Sequence, residues 1–517
     1  MAIRAGYLAS AVLALFPGLA MGEGDDAPMS AIDWLSNSVM TPGVVAPVNP
    51  PIDEPDISAS ASVDNVTVTP LGRPLPDAVG ILPVSVTGLP NTFWGPARPN
   101  DLVRLIGAER PDMLPAMQDL LYMVLLAELN PPESAQSSGH DVFLARVDKL
   151  LELGALEQAD ALLARAGPER PEIFRRWFDV ALLLGNEDDL CAIMRDTPEL
   201  SPPFPARVFC LARGGDWNAA VLTLETGRAL GFFTDEEDAL VARFLDPVLF
   251  EGEPPLPRPA HPSPLTFRML EAIGEPVPTA TLPLAFAVSD LRHNIGWKAR
   301  IEAAERLGRT GAVRENQLLG LYTERQAAAS GGVWDRVAAV QALDQALKSN
   351  DIADIEADLP EAWARIKQAE LEVPFARIFG KTLATLPLSE AVRPIALTLG
   401  LLSDEYEEVA VAAGDDAEFA VLLAVARGMT GDLTSNYPRE NAVLAGFNAT
   451  GVPARLASLT DSGRLGEAVL RAMSLFTSGT RGNLDEITDA LALFRAVGME
   501  ATARKAALQY LMLDRRG

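Results

Sequence analysis

From Asn100 onward, apolar positions recur at helical spacing almost without interruption. Asn100 stands where it can cap a helix over Asp101–Glu109, and Met113–Asn130 is a strongly apolar helical segment stopped by Pro131-Pro132. Thr234-x-x-Glu237 carries the capping-box pattern and predicts a helix that runs to about Asp246. Residues 250–264 are rich in proline and predict a linker or long loop, after which helical patterning resumes at Leu265 and continues through 517. No segment of the body reads as a strand. The pattern therefore predicts an all-α chain, with helices over 100–249 and 265–517 on either side of the linker.

Residues 23–99 follow a different rule. They hold 13 prolines, a density that interrupts helices and removes donors from any sheet. An extended, largely disordered arm is expected. Within it, Ser30–Val39 predicts about two helical turns capped by Ser30, with Ile32, Leu35 and Val39 on one face and Trp34 beside it. So short a helix must dock, either in a partner's groove or on this protein's own body. Val66–Thr69 and Val84–Thr87 alternate apolar and polar residues, as short strands or extended segments do. Phe93-Trp94, before Gly95-Pro96, predicts an aromatic anchor that holds the arm to the first helices.

Residues 1–22 have the layout of a secretory signal: Arg4, a short apolar stretch from Tyr7 to Phe16, and Ala20-Met21-Gly22 as a cleavage site. The apolar run is too short to span a bilayer. Arginine outnumbers lysine 37 to 6 and alanine and leucine dominate, a bias that suits a GC-rich bacterial genome. Together these predict a periplasmic protein with no transmembrane segment in the mature chain.

The turns repeat. Gly154, Gly185 and Gly215 each end one apolar helix and open another, at spacings of 31 and 30 residues. Gly431, Gly463 and Gly498 form a second set at 32 and 35. Small residues such as Ala159, Ala219, Ala468 and Ala503 follow the glycines, where helices of a pair must approach closely. Leu-x-x-Gly followed by small residues at this period resembles a degenerate tetratricopeptide (TPR or Sel1-like) repeat, without the regular consensus tyrosine and terminal proline. The resemblance covers about 200 body residues and leaves 265–425 without a clean period. It implies an α-solenoid with a concave protein-binding surface.

Charge and chemistry narrow the function. The formal net charge is −27, from 70 acidic and 43 basic residues, so phosphate backbones are repelled. Cys191 and Cys210 are the only cysteines; they fall on neighbouring predicted helices and can form a disulfide in an oxidising compartment, or lie buried as thiols. His140, His261 and His293 fall in a loop, the linker and a helix, and none has a histidine at helical spacing. Asp404–Glu408 and Asp415–Glu418 are acidic clusters that suit helix starts at Ser403 and Gly414, and they lack the calcium-loop pattern. No nucleophile elbow, Walker loop or dinucleotide fingerprint occurs, and no cofactor is expected. A Glu133-Ser134 pair follows two prolines in an early loop, but the Gly-Leu-Met-Gln segment that goes with such a pair in soluble lytic transglycosylases is missing. The expected function is a periplasmic scaffold or adaptor of a cell-envelope assembly, in secretion or as a flagellar-motor accessory, working through protein contact. An envelope enzyme of unrecognised type, such as a peptidoglycan-active protein, is the alternative. The partner's identity and the oligomeric state are not legible.

Overall fold

The computed structural model describes residues 76–513, apart from 135–139, 198–199, 201–202, 328 and 432. The first helices are α1 (Pro99–Ala108), α2 (Pro115–Leu126), α3 (Asp141–Glu152), α4 (Leu156–Ala166), α5 (Pro171–Leu184) and α6 (Asp188–Asp196). They lead to α7 (Phe204–Arg213), α8 (Trp217–Leu230), α9 (Asp235–Leu245) and α10 (Pro264–Ala272). A run of 3₁₀ turns, Leu284–Leu291, then precedes α11 (Trp297–Gly308), α12 (Glu315–Tyr322), α13 (Val333–Ser349), α14 (Ile352–Ala369), α15 (Glu372–Thr385) and α16 (Arg393–Leu402). The rest is α17 (Tyr406–Ala413), α18 (Ala420–Arg427), α19 (Pro438–Asn448), α20 (Ala454–Asp461), α21 (Leu465–Gly479), α22 (Leu484–Ala496) and α23 (Glu500–Met512).

The fold is all-α. Among the described residues the one extended pairing is a single parallel bridge between Leu82 and Ala127. Consecutive helices pack as hairpins: α7 on α8, α13 on α14, α15 on α16 and α21 on α22 share the broadest contacts between successive helices. The turn glycines Gly154, Gly185, Gly215, Gly431, Gly463 and Gly498 all adopt positive φ, between 42° and 86°. At Gly154 the need is double, because a Cβ there would also strike the Leu307 side chain.

An open solenoid touches only its neighbours, but here the two ends of the array meet. α1 packs on α21, and α2 packs on α23. Phe93 and Trp94, both fully buried, lie against Gly466 at the start of α21, whose N–H donates to the Phe93 carbonyl at 2.7 Å. The Ala116 N–H donates to Gln509 Oε1 at 2.7 Å, and Ser474 Oγ donates to Glu109 Oε1 at 2.8 Å. Asp119 of α2 pairs with Arg377, Arg377 with Asp404, and Asp404 with Lys505 of α23. α2 is consequently buried over most of its surface and serves as a central post.

Several expectations change. Residues 76–99, grouped with the arm by their prolines, are part of the body, and their aromatic anchor also packs against the start of α21. Val84–Thr87 is a helical turn, not a strand: Pro83 precedes it and Gly88 closes it at φ 66°. The first helix begins at Pro99 with Arg98 at the cap, so Asn100 lies inside it. His293 occupies the turn before α11, not a helix. Gly414 ends α17 instead of opening a helix. The neighbouring carboxylates are clasped: Glu407 by Arg504 and Glu408 by Lys381. The Thr234–Glu237 capping box is present as predicted, with both hydrogen bonds formed.

Candidate functional site

Helices α5–α10 surround a second hydrophobic core, separate from the main one. Aromatic pairs lie in it and along its edge. Phe204 stacks on Phe232 at 4.8 Å, and Phe209 lies 5.4 Å from Phe244. Gly227 admits Phe204 and Phe233 to the flank of α8, where a Cβ would collide with both rings. These contacts pack α7, α8 and α9 together. Glu187, fully buried at the head of α6, is held by Arg268 of α10 at 3.0 Å.

Cys191 of α6 and Cys210 of α7 are joined through their sulfurs, with Cα atoms 5.0 Å apart and a sequence separation of 19. The bond staples α6 to α7. A closed loop of this size contributes roughly 2–3 kcal/mol by restricting the unfolded chain. Thiol reagents are expected to leave both cysteines unlabelled until a reductant is added, and Cys191→Ala/Cys210→Ala is expected to melt this lobe first. Immediate labelling of the unreduced native protein would contradict the bonded state.

Beneath α5, a cavity of about 50 Å³ is lined by Phe174, Arg175, Asp179, Glu237, Ser263 and Met269, among others. Asp179 is 6% exposed, and its carboxyl is pushed well above the usual carboxylate range by burial, with Arg176 opposing the shift. The Arg175 Nε is buried without a hydrogen-bond partner. The cavity has room for a few ordered waters beside these groups and no more.

The outer face is the more telling. α8 turns only Ala220, Leu224 and Gly227 into the protein. Trp217 is 49% exposed, and Val221, Leu222 and Leu230 are exposed with it. Val248 and Leu249, in the turn after α9, are also exposed. Beside α8 runs an open groove of about 500 Å³ lined by the disulfide, Met194, Arg195, Arg207 and Thr223. A rigid, stapled lobe that presents large apolar side chains to solvent has the anatomy of a contact surface.

The sequence flagged this region through its cysteines and Gly185 and Gly215, but not through α8, whose apolar residues read as ordinary helix core. The predicted docking residues Ile32, Trp34, Leu35 and Val39 lie outside the described residues. Among the described residues no helix is long and apolar enough to cross a membrane, and no cluster of His, Cys, Asp and Glu is arranged to hold a metal ion. Set against known proteins, the chain matches no family model, no curated protein and no solved structure.

Proposed function

We propose that this protein is a protein-binding scaffold of the bacterial cell envelope, working in the periplasm, with degenerate tetratricopeptide-like hairpins as its frame. The observation that carries the reading is the exposed apolar face of α8 and the turn after α9 on a lobe stapled by Cys191 and Cys210. The secretory layout of residues 1–22 supports the location, and the glycine-punctuated hairpin period supports the frame. The closed ends favour a rigid platform that holds a partner by contact.

The enzyme alternative has one feature to draw on, the cavity shared by Asp179 and Glu237. At about 50 Å³ it admits water but not a glycan ring, which favours the scaffold.

The test is photo-crosslinking in the cell from a probe placed at Leu222, followed by the same experiment with Trp217→Asp. Specific crosslinked partners are expected, and Trp217→Asp is expected to weaken capture by about tenfold or more, as loss of an aromatic anchor does. Crosslinks unchanged by Trp217→Asp would remove this face from the function.

A further inference from the structure

We propose that the cavity beneath α5 is a binding site for a primary carboxamide, either the end of a glutamine or asparagine side chain or a small free amide. Two polar groups that find no partner line it. Asp179 is 6% exposed and accepts no hydrogen bond from the described residues. Arg175 has its Nε buried, also with no hydrogen-bond partner. The two stand at i and i+4 on α5, so they share one helix face with Cβ atoms about 5–6 Å apart. The other polar groups around the space are already engaged. Glu237 Oε2 accepts the Thr234 N–H at 3.0 Å. Ser263 Oγ accepts the Thr266 N–H at 3.0 Å and donates to Thr266 Oγ1 at 2.8 Å. What the cavity lacks is therefore a donor for Asp179 and an acceptor for Arg175.

Size and charge select among groups that supply both. A space of about 50 Å³ that holds a few waters also holds one planar group of three heavy atoms. Phe174, Phe178, Leu240 and Met269 give it apolar walls for a carbon stem. Arg175, Glu237, Ser263 and Thr266 are half-buried, so the space reaches the surface between them. A carboxamide carries both missing halves: its NH₂ donates to Asp179, and its carbonyl accepts from the Arg175 Nε–H. Burial holds the Asp179 carboxyl well above the usual carboxylate range, so it serves as a neutral acceptor. A carboxylate in the same place meets the Glu237 carboxylate, and an ammonium meets the Arg175 guanidinium. An uncharged head avoids both, and it leaves less hydration behind on entering. The site is separate from the outer face of α8, so the failure of either leaves the other standing.

The experiment titrates propionamide, propionate and propylammonium separately into the full chain and follows each by saturation-transfer NMR. Propionamide is expected to bind saturably, with a Kd on the order of millimolar for so few atoms, and the two ions about tenfold more weakly or worse. Arg175→Met and Asp179→Leu each remove one partner and are expected to weaken propionamide about tenfold. Asp179→Asn keeps a carbonyl acceptor and is expected to retain binding. Circular dichroism melting checks that each variant folds; Arg175→Met, at a half-buried position, decides the matter if Asp179→Leu does not. A capped Ala-Gln-Ala peptide and free glutamine separate the two sources. Saturable binding of the peptide assigns the carboxamide to a protein side chain, and binding of propionamide or free glutamine without the peptide assigns it to a small molecule. Equal binding of the three small ligands, tighter binding of either ion, or binding unmoved by Arg175→Met would each overturn the proposal. So would the absence of saturable binding by any amide, which leaves the cavity to water alone.

Discussion

Arg146→Met is expected to destabilise the protein by about 3–5 kcal/mol, the scale for breaking a buried charged network by removing one partner. Arg146 is fully buried on α3. Its Nε donates to the Leu125 carbonyl at 2.7 Å, Nη1 to Val79 at 2.8 Å and Nη2 to Ala127 at 2.9 Å. Two of these acceptors belong to the C-terminal end of α2, where helix carbonyls lack intrahelical partners and favour a cation. The third belongs to the segment 76–82, which the Asp77 carboxylate also ties down by accepting the Phe143 N–H at the start of α3. One guanidinium therefore joins the central post, the helix beside it and the 76–82 segment of the body. Methionine fills most of the volume but leaves three buried acceptors without donors. Arg146→Lys keeps one or two of the bonds and is expected to fall between. Urea unfolding followed by far-ultraviolet circular dichroism measures the order wild type, Lys, Met; equal midpoints would show that water replaces the lost donors.

How much of this was legible in the sequence follows from the range of each interaction. Helical class, the hairpin turns and the Thr234–Glu237 cap are local, and spacing reports them. The end-to-end closure is not local. Ala116 meets Gln509 across 393 residues, and Glu109 meets Ser474 across 365, so no periodicity carries the signal. Arg146 shares the apolar face of Val142, Phe143 and Leu150, but its residue type points to solvent, and its partners are carbonyls, which every residue has. Residues 76–99 read as arm because proline density alone does not distinguish an unattached chain from a packed one. Prolines shape this stretch, but Val79, Leu89, Phe93 and Trp94 give it enough apolar surface to pack. The outer face of α8 was missed for the opposite reason: Trp217, Val221 and Leu222 look like core residues, and only the position of α8 at the edge of its lobe leaves them uncovered.

The closure also carries a pH dependence. Glu109 is 2% exposed at the joint between α1 and α21, and burial pushes its carboxyl from a usual value near 4.5 up to about 7; the Ser474 hydroxyl and the Lys149 ammonium pull the other way without cancelling it. The folded state therefore holds a proton there that the unfolded chain has released. Between about pH 4.5 and 7 the unfolded state binds fewer protons at this group, so its contribution to stability falls as pH rises through that window and levels off above it. The full span is about 3 kcal/mol at 1.36 kcal/mol per pKa unit. Glu109→Gln keeps an acceptor for Ser474 and removes the titration. It is expected to match the wild type at pH 4 and to melt at a higher temperature at pH 8, with the gap opening across the window. Parallel melting curves from pH 4 to 8 would mean that the Lys149 ammonium already neutralises this carboxylate in the fold. A widening gap would locate the acid preference of the closed array at one side chain, and would predict that Ser474→Ala, which strips a hydrogen bond from the carboxylate, steepens the wild-type slope.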